Sequence, residues 1–159
     1  HEYKRLSRKI IYSNSQIIEL ADGSRINVES YGYPDIVKAL DRGHVRDMKV
    51  VGDKIVNATE NGAVVFSDLE LNSICDSTWR HQYVNRCLDV SPNEEAIAVG
   101  GNAQYILIFN MQDICNEPIV IERKINKIVL DIKFTSDSTL LILSSGNNIE
   151  TINISTGVI

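Results

Sequence analysis

The chain has 159 residues, carries 21 Asp and Glu against 16 Lys and Arg for a formal net charge of −5, and is 43% hydrophobic and 23% charged. That mixture is ordinary for one folded globular domain, large enough to bury roughly 68–70% of its unfolded surface, and it excludes a disordered polyelectrolyte. No apolar run of roughly 18 residues occurs, and no charged start leads into an apolar stretch and a cleavage site, so neither a membrane span nor a secretory signal is expected.

In chain order, residues 9–14, 16–20 and 25–30 read as three short strands, the first two separated by Ser13-Asn14-Ser15. Residues 31–43 differ in texture. Either Pro34 opens a single helical turn over 35–40 that Gly43 ends, or the stretch is a long connection between sheets, which is the favoured reading.

From there one order of features recurs. Residues 55–58, the Glu60-Asn61-Gly62 turn and Val64-Val65-Phe66 read as strand, turn and strand. Residues 87–90 form a short β-competent run, and Ser91-Pro92-Asn93-Glu94-Glu95 supplies turn residues. Residues 96–99 are too few and too uniformly apolar for an amphipathic helix, and fit a strand buried on both faces. Gly100-Gly101-Asn102 is expected to end that strand through positive φ, before the β-branched and aromatic run 105–109. The same order returns with Phe134-Thr135-Ser136, residues 140–143, Ser144-Ser145-Gly146-Asn147 and residues 149–154, at a period of about 42 to 45 residues.

Four short strands per unit at that period suit a β-propeller blade, a twisted sheet that cannot bury both faces alone and stacks on its neighbours. The residues also resemble the WD-repeat family. ATENGAVVFSDL at 58–69 is similar to that family's small-residue strand, Asx-Gly turn and following strand. TSDSTLLILSSGNNIETINISTG at 135–157 is similar to its serine-proline-aspartate turn and the same two strands, and Gly43-His44 stands where its Gly-His pair belongs. Where the family's Trp-Asp closes a strand, this chain has Ser67-Asp68, Phe109-Asn110 and Asn153, so the family's His, Asp, Ser or Thr and Trp tetrad is not carried onto any unit. The resemblance implies an all-β chain, a β-propeller portion of four-stranded antiparallel blades. Two are expected complete, at 44–80 and 86–124, and two partial, at 9–30 and 129–157. The terminal pieces together hold more strands than one blade takes, so residues 1–159 are expected to be part of a larger propeller, completed by more of the same polypeptide or by another chain.

No residues suggest catalysis. His1, His44 and His81 are scattered, no nucleophile sits in a glycine elbow, and no phosphate-binding glycine loop occurs, so no enzyme activity, cofactor or metal is expected. Cys75, Cys87 and Cys115 are odd in number and lack close pairing. They are expected as three thiols of a protein in a reducing compartment, nuclear or cytoplasmic.

Charge over the predicted loops is the one feature that leans toward a function. In a propeller the connections between blades share a rim with the turns between second and third strands; the other turns share the opposite rim. The inter-blade connections carry Arg42, His44 and Arg46, then Arg80 and Arg86, then Arg123, Lys124 and Lys127, opposed by Asp41 and Glu122, whereas the other turns carry Asp53, Glu70, Glu94, Glu95, Asp113, Glu117 and Asp137 against Arg25 and Lys54. One basic rim on an acidic chain points to an acidic or phosphorylated peptide as ligand, with Trp79 as a candidate interface anchor. The alternative is nucleic acid, for which Lys4, Arg5, Arg8 and Lys9 add a basic cluster, although aromatics do not interleave the basic stretches. The family resemblance implies a non-catalytic protein-protein interaction scaffold in a multi-subunit intracellular complex.

Overall fold

A computed structural model describes residues 44–75 and 78–155, with three strands before them: β1 (Ile10–Ser13), β2 (Ile17–Leu20) and β3 (Arg25–Asn27). The chain divides into two units, His1–Ala39 and Leu40–Ile159. In the first, β1, β2 and β3 form an antiparallel sheet in that order, with Ile18 opposite Ile26. The helical turn considered over 35–40, the basic cluster at the start of the chain and Arg42 lie outside the described residues.

The second unit is three antiparallel meanders. The first holds β4 (Val45–Val51), β5 (Lys54–Thr59), β6 (Ala63–Asp68) and β7 (Trp79–Arg80). The second holds β8 (Asn85–Val90), β9 (Ala96–Gly101), β10 (Tyr105–Asn110) and β11 (Ile119–Glu122). The third has three described strands, β12 (Val129–Phe134), β13 (Thr139–Ser144) and β14 (Asn148–Asn153). Among the described residues this makes, with the first unit's sheet, two four-stranded sheets and two three-stranded ones, in line with the two complete and two partial blades that the repeat implied.

The first strands β4, β8 and β12 lie side by side but belong to different sheets, so the sheets stack instead of pairing. Backbone donors on these strands are met by side chains from the preceding sheet: Leu88 N–H donates to Asp47 Oδ2 at 3.0 Å, and Phe134 N–H donates to Asp89 Oδ2 at 2.7 Å. A buried N–H without a partner is costly, so each carboxylate ties one sheet to the next. Each first strand also changes register at the same place, between Val45 and Asp47, Asn85 and Cys87, and Val129 and Asp131. Such bulges sharpen the local twist of a strand.

Strand alternation divides the second sheet's side chains between two cores. Leu88, Ile97, Val99, Leu107 and Phe109 face the first sheet and meet Val51, Val56, Val64 and Phe66. Cys87, Ala98, Ile106, Ile108 and Ile121 face the third sheet and meet Val129, Ile132, Leu140, Ile142 and Ile152. The rings of Phe66 and Phe109 contact edge to face at 5.3 Å, a favoured aromatic geometry. Among the described residues the third sheet is covered on one face. On its other face Leu130, Leu141, Leu143 and Ile149 are exposed, Ile149 at 66%.

Two sequence expectations are corrected here. Gly100 and Gly101 do not end β9 through positive φ; they are its last two residues. They are glycines because neighbours come too close for a side chain: a Cβ on Gly100 would stand 2.9 Å from Val129 Cγ1, and one on Gly101 would stand 2.0 Å from the Val84 carbonyl oxygen. Positive φ is used instead at Gly62 (φ 86°) and Gly146 (φ 76°), in the turns after β5 and β13.

The second correction concerns the cysteines. Cys75 and Cys115 form a disulfide with Cα atoms 5.3 Å apart, and only Cys87 is a free thiol. They are separated by 40 residues, about one repeat, so they occupy matching connections, β6–β7 and β10–β11, of two stacked sheets. Motif spacing cannot show such a pair, because the repeat and not the local sequence brings the residues together. The cysteine count therefore gives no reading of the compartment.

Phe109→Ala, which empties the space between Phe66 and Trp79, is expected to destabilise the protein by about 3–5 kcal/mol in urea unfolding. Gly101→Ala is expected to cost about 1–3 kcal/mol or more, because backbone rather than a flexible side chain must move.

Candidate binding rim

Backbone hydrogen bonds define one rim of the stacked sheets. His81 N–H donates to Gly62 O at 3.2 Å, Asn102 N–H to Val84 O at 2.9 Å, and Ser145 N–H to Ile128 O at 2.9 Å. Each bond joins a connection between sheets to a turn between second and third strands, so the two loop types share an edge. The turns on the opposite rim are held likewise, Met111 N–H donating to Glu95 O at 2.9 Å and Ile154 N–H to Ser138 O at 2.8 Å.

The sequence-predicted cations on the first rim fall into three groups. His44, Arg80, Lys124 and Lys127 are exposed. Arg46 and Arg86 have intramolecular partners: the Arg46 guanidinium lies 3.3 Å from the Glu60 carboxylate, both 42% exposed, and Arg86 Nε–H donates to Asn102 Oδ1 at 2.7 Å. A surface pair like Arg46–Glu60 exchanges partners readily. Arg123 is buried, at 2% exposure.

Arg123 is therefore no rim ligand but a lock between sheets. Its Nε donates to Glu150 Oε1 at 2.6 Å, one terminal nitrogen to the Lys127 carbonyl at 2.9 Å and the other to Ser144 Oγ at 2.6 Å. Glu150 and Ser144 belong to β14 and β13, so the residue that leaves β11 is bound into the third sheet. The sequence places this arginine among the rim cations that would meet an acidic ligand, because its partners come from the next sheet.

His81 does the same job one repeat earlier. The pairings Ala63 opposite Arg80 and Tyr105 opposite Glu122 place His81 and Arg123 alike, directly after an outer strand. Asn85 uses its amide N–H on the Ala63 carbonyl at 3.1 Å, so its Oδ1 accepts from His81 Nε2–H at 2.8 Å. Nδ1 is then the acceptor for the Tyr105 hydroxyl at 2.9 Å. Burial lowers the His81 pKa below its ordinary 6.5, against the opposing effect of its hydrogen bond to Asn85, and burial foremost raises that of Tyr105. Both shifts favour the neutral network that the geometry requires. Trp79 is half-buried beside it, its ring 5.0 Å from His81 and 5.7 Å from Phe109, so much of its surface is engaged between the first two sheets.

Cys87 is the remaining candidate for chemistry. Burial first, then the carboxylates of Asp131 and Asp47, pushes its thiol up to about 12. A thiol held protonated is a poor nucleophile. Among the described residues no group of three or more His, Cys, Asp or Glu side chains could hold a metal ion, and no helix is long and apolar enough to cross a membrane.

No protein-family model matches this sequence, and no curated protein matches it. Solved structures do. The structure of U3-55K is similar with a TM-score of 0.67 at 14% identity, over 77% of this chain and 39% of that one. The Myceliophteria thermophila Cps50 (Swd1) β-propeller domain is similar with a TM-score of 0.63 at 15% identity, over 76% of this chain and 38% of that one. Kuenenia stuttgartiensis hydrazine synthase is similar with a TM-score of 0.62 at 16% identity, over 74% of this chain and 34% of that one. This chain has the β-propeller fold, which it shares with WD40 propellers among others, and it spans less than two fifths of the length of each of these proteins.

Two outcomes test the locks. Arg123→Met is expected to cost about 3–5 kcal/mol, because Glu150 is left as a buried uncompensated charge, and Glu150→Leu in the same protein should recover most of the loss. For His81 the folded pKa lies below the unfolded one, so the unfolded chain binds the proton better and stability falls as pH drops below about 6.5. Urea unfolding between pH 7.5 and 5 should show this fall, and His81→Phe should flatten that part of the profile.

Proposed function

We propose that this chain is part of a larger WD-repeat propeller that acts as a non-catalytic protein-protein interaction scaffold, and that its basic rim holds an acidic or phosphorylated peptide. The observation that carries this reading is the separation of charge between the rims. His44, Arg80, Lys124 and Lys127 are exposed on one, and Asp53, Glu70, Glu94, Asp113 and Glu117 are exposed on the other. A rim on which cations outnumber the carboxylates of Glu60 and Glu122 attracts ligands of opposite sign and speeds their encounter, and guanidinium forks suit carboxylate or phosphate oxygens. The apolar face of Leu130, Leu141, Leu143 and Ile149 supports the larger propeller, since a face of this kind is normally covered.

The test is binding of a fluorescein-labelled phosphopeptide to the full-length polypeptide, with Arg80→Glu and Lys124→Glu each expected to weaken it about tenfold, as loss of a charge-assisted contact does. Equal binding by wild type and both variants overturns the peptide reading. Preferred binding of single-stranded oligonucleotides of any sequence, falling steeply with salt, would replace it with the nucleic-acid reading.

A further inference from the structure

The connection between β10 and β11 reaches across to the first sheet, yet its backbone hydrogen bonds stay within it or return to the second sheet. Met111 N–H donates to Glu95 O at 2.9 Å, Asp113 N–H to Asn110 O at 3.0 Å, and Asn116 N–H to Asp113 O at 3.2 Å. Among the described residues its links to the first sheet are apolar and covalent. Ile114, at 7% exposure, joins the core of Val64 and Phe66, and with Cys115, Cys75 and Trp79 these residues close on a space of only about 10 Å³. The covalent link is the Cys75–Cys115 disulfide, and Cys115 is exposed.

We propose that Cys75–Cys115 is a redox modification site, at which a dithiol reductant releases this connection from the first sheet and uncovers the apolar surface of Val64, Phe66 and Trp79. An exposed disulfide is the kind that thiols reach and exchange with. A thiolate of the reductant attacks the Cys115 sulfur, the bond to Cys75 breaks, and Cys75 leaves as a thiolate that takes up a proton. The reductant's second thiolate then attacks the mixed disulfide, Cys115 leaves and is protonated, and the dithiol is oxidised to its own disulfide as the protein gains two electrons. Cys87 takes no part, since it is buried in the other core, between the second and third sheets. With the bond cut, Ile114 alone holds a connection that has no backbone hydrogen bond to the first sheet, so opening is local and the rest of the stack stays closed.

The experiment is hydrogen exchange read by mass spectrometry on the full-length polypeptide, air-oxidised and after dithiothreitol, with peptide mapping to locate the disulfide. The oxidised protein is expected to yield the linked Cys75–Cys115 peptides. Reduction should speed exchange in residues 111–118 about tenfold or more and leave β13 unchanged, and hydroxyl-radical footprinting at Trp79 should rise with it. A Cys75→Ser, Cys115→Ser double variant should show the reduced pattern from the start and ignore dithiothreitol. Thermal melting of each form confirms that it is folded. The proposal is overturned if mapping of the oxidised protein finds no Cys75–Cys115 link, or if residues 111–118 exchange equally in both states. It is overturned as well if reduction speeds β13 as much as 111–118, which would make the bond a brace for the whole stack.

Discussion

A twisted antiparallel sheet with apolar residues on both faces has no stable existence by itself, and the whole second unit follows from that constraint. In the second sheet β9 is buried along nearly its whole length, so its two faces must be closed by two different neighbours. The first and third sheets supply them. The third sheet repeats the problem one step further along, because its strands alternate buried and exposed and present Leu141, Leu143 and Ile149 outward.

Stacking through apolar contact is tolerant of sliding, and polar groups at the sheet boundaries fix the relation between sheets. Asp47 and Asp89 cap backbone donors of the following sheet, while His81 and Arg123 anchor each departing outer strand to the sheet that comes next. The two anchors use unlike chemistry at one position. His81 works as a neutral imidazole between Asn85 and Tyr105, and Arg123 works as a cation against Glu150. On the opposite rim the Cys75–Cys115 disulfide joins matching connections of the first two sheets.

Much of this was legible in the sequence because the repeat is written in features that survive substitution: short β-branched runs, Asx and Gly turns, and a fixed period. Residues 105–109 and 149–154 are strands within one residue of their expected bounds. What the sequence hid depends on neighbours a repeat away. Gly100 and Gly101 look like turn residues until Val129 and the Val84 carbonyl are placed against them. Arg123 looks like another loop cation until Glu150 and Ser144 arrive from the next sheet. Cys75 and Cys115 look unrelated because their pairing follows the repeat. The match of His81 with Arg123 in repeat phase was a signal present in the sequence, yet unlike residue types concealed it.

We propose that these stacked sheets are part of a longer stack, with the outer face of the third sheet covered in the full-length polypeptide. Site-resolved maleimide labelling of Leu141→Cys tests it most directly, with Ser136→Cys as an exposed reference. Cys87 stays silent, since its thiol is buried and pushed up to about 12. Position 141 is expected to label far more slowly than position 136 in the folded protein. Equal labelling rates at the two positions would contradict it.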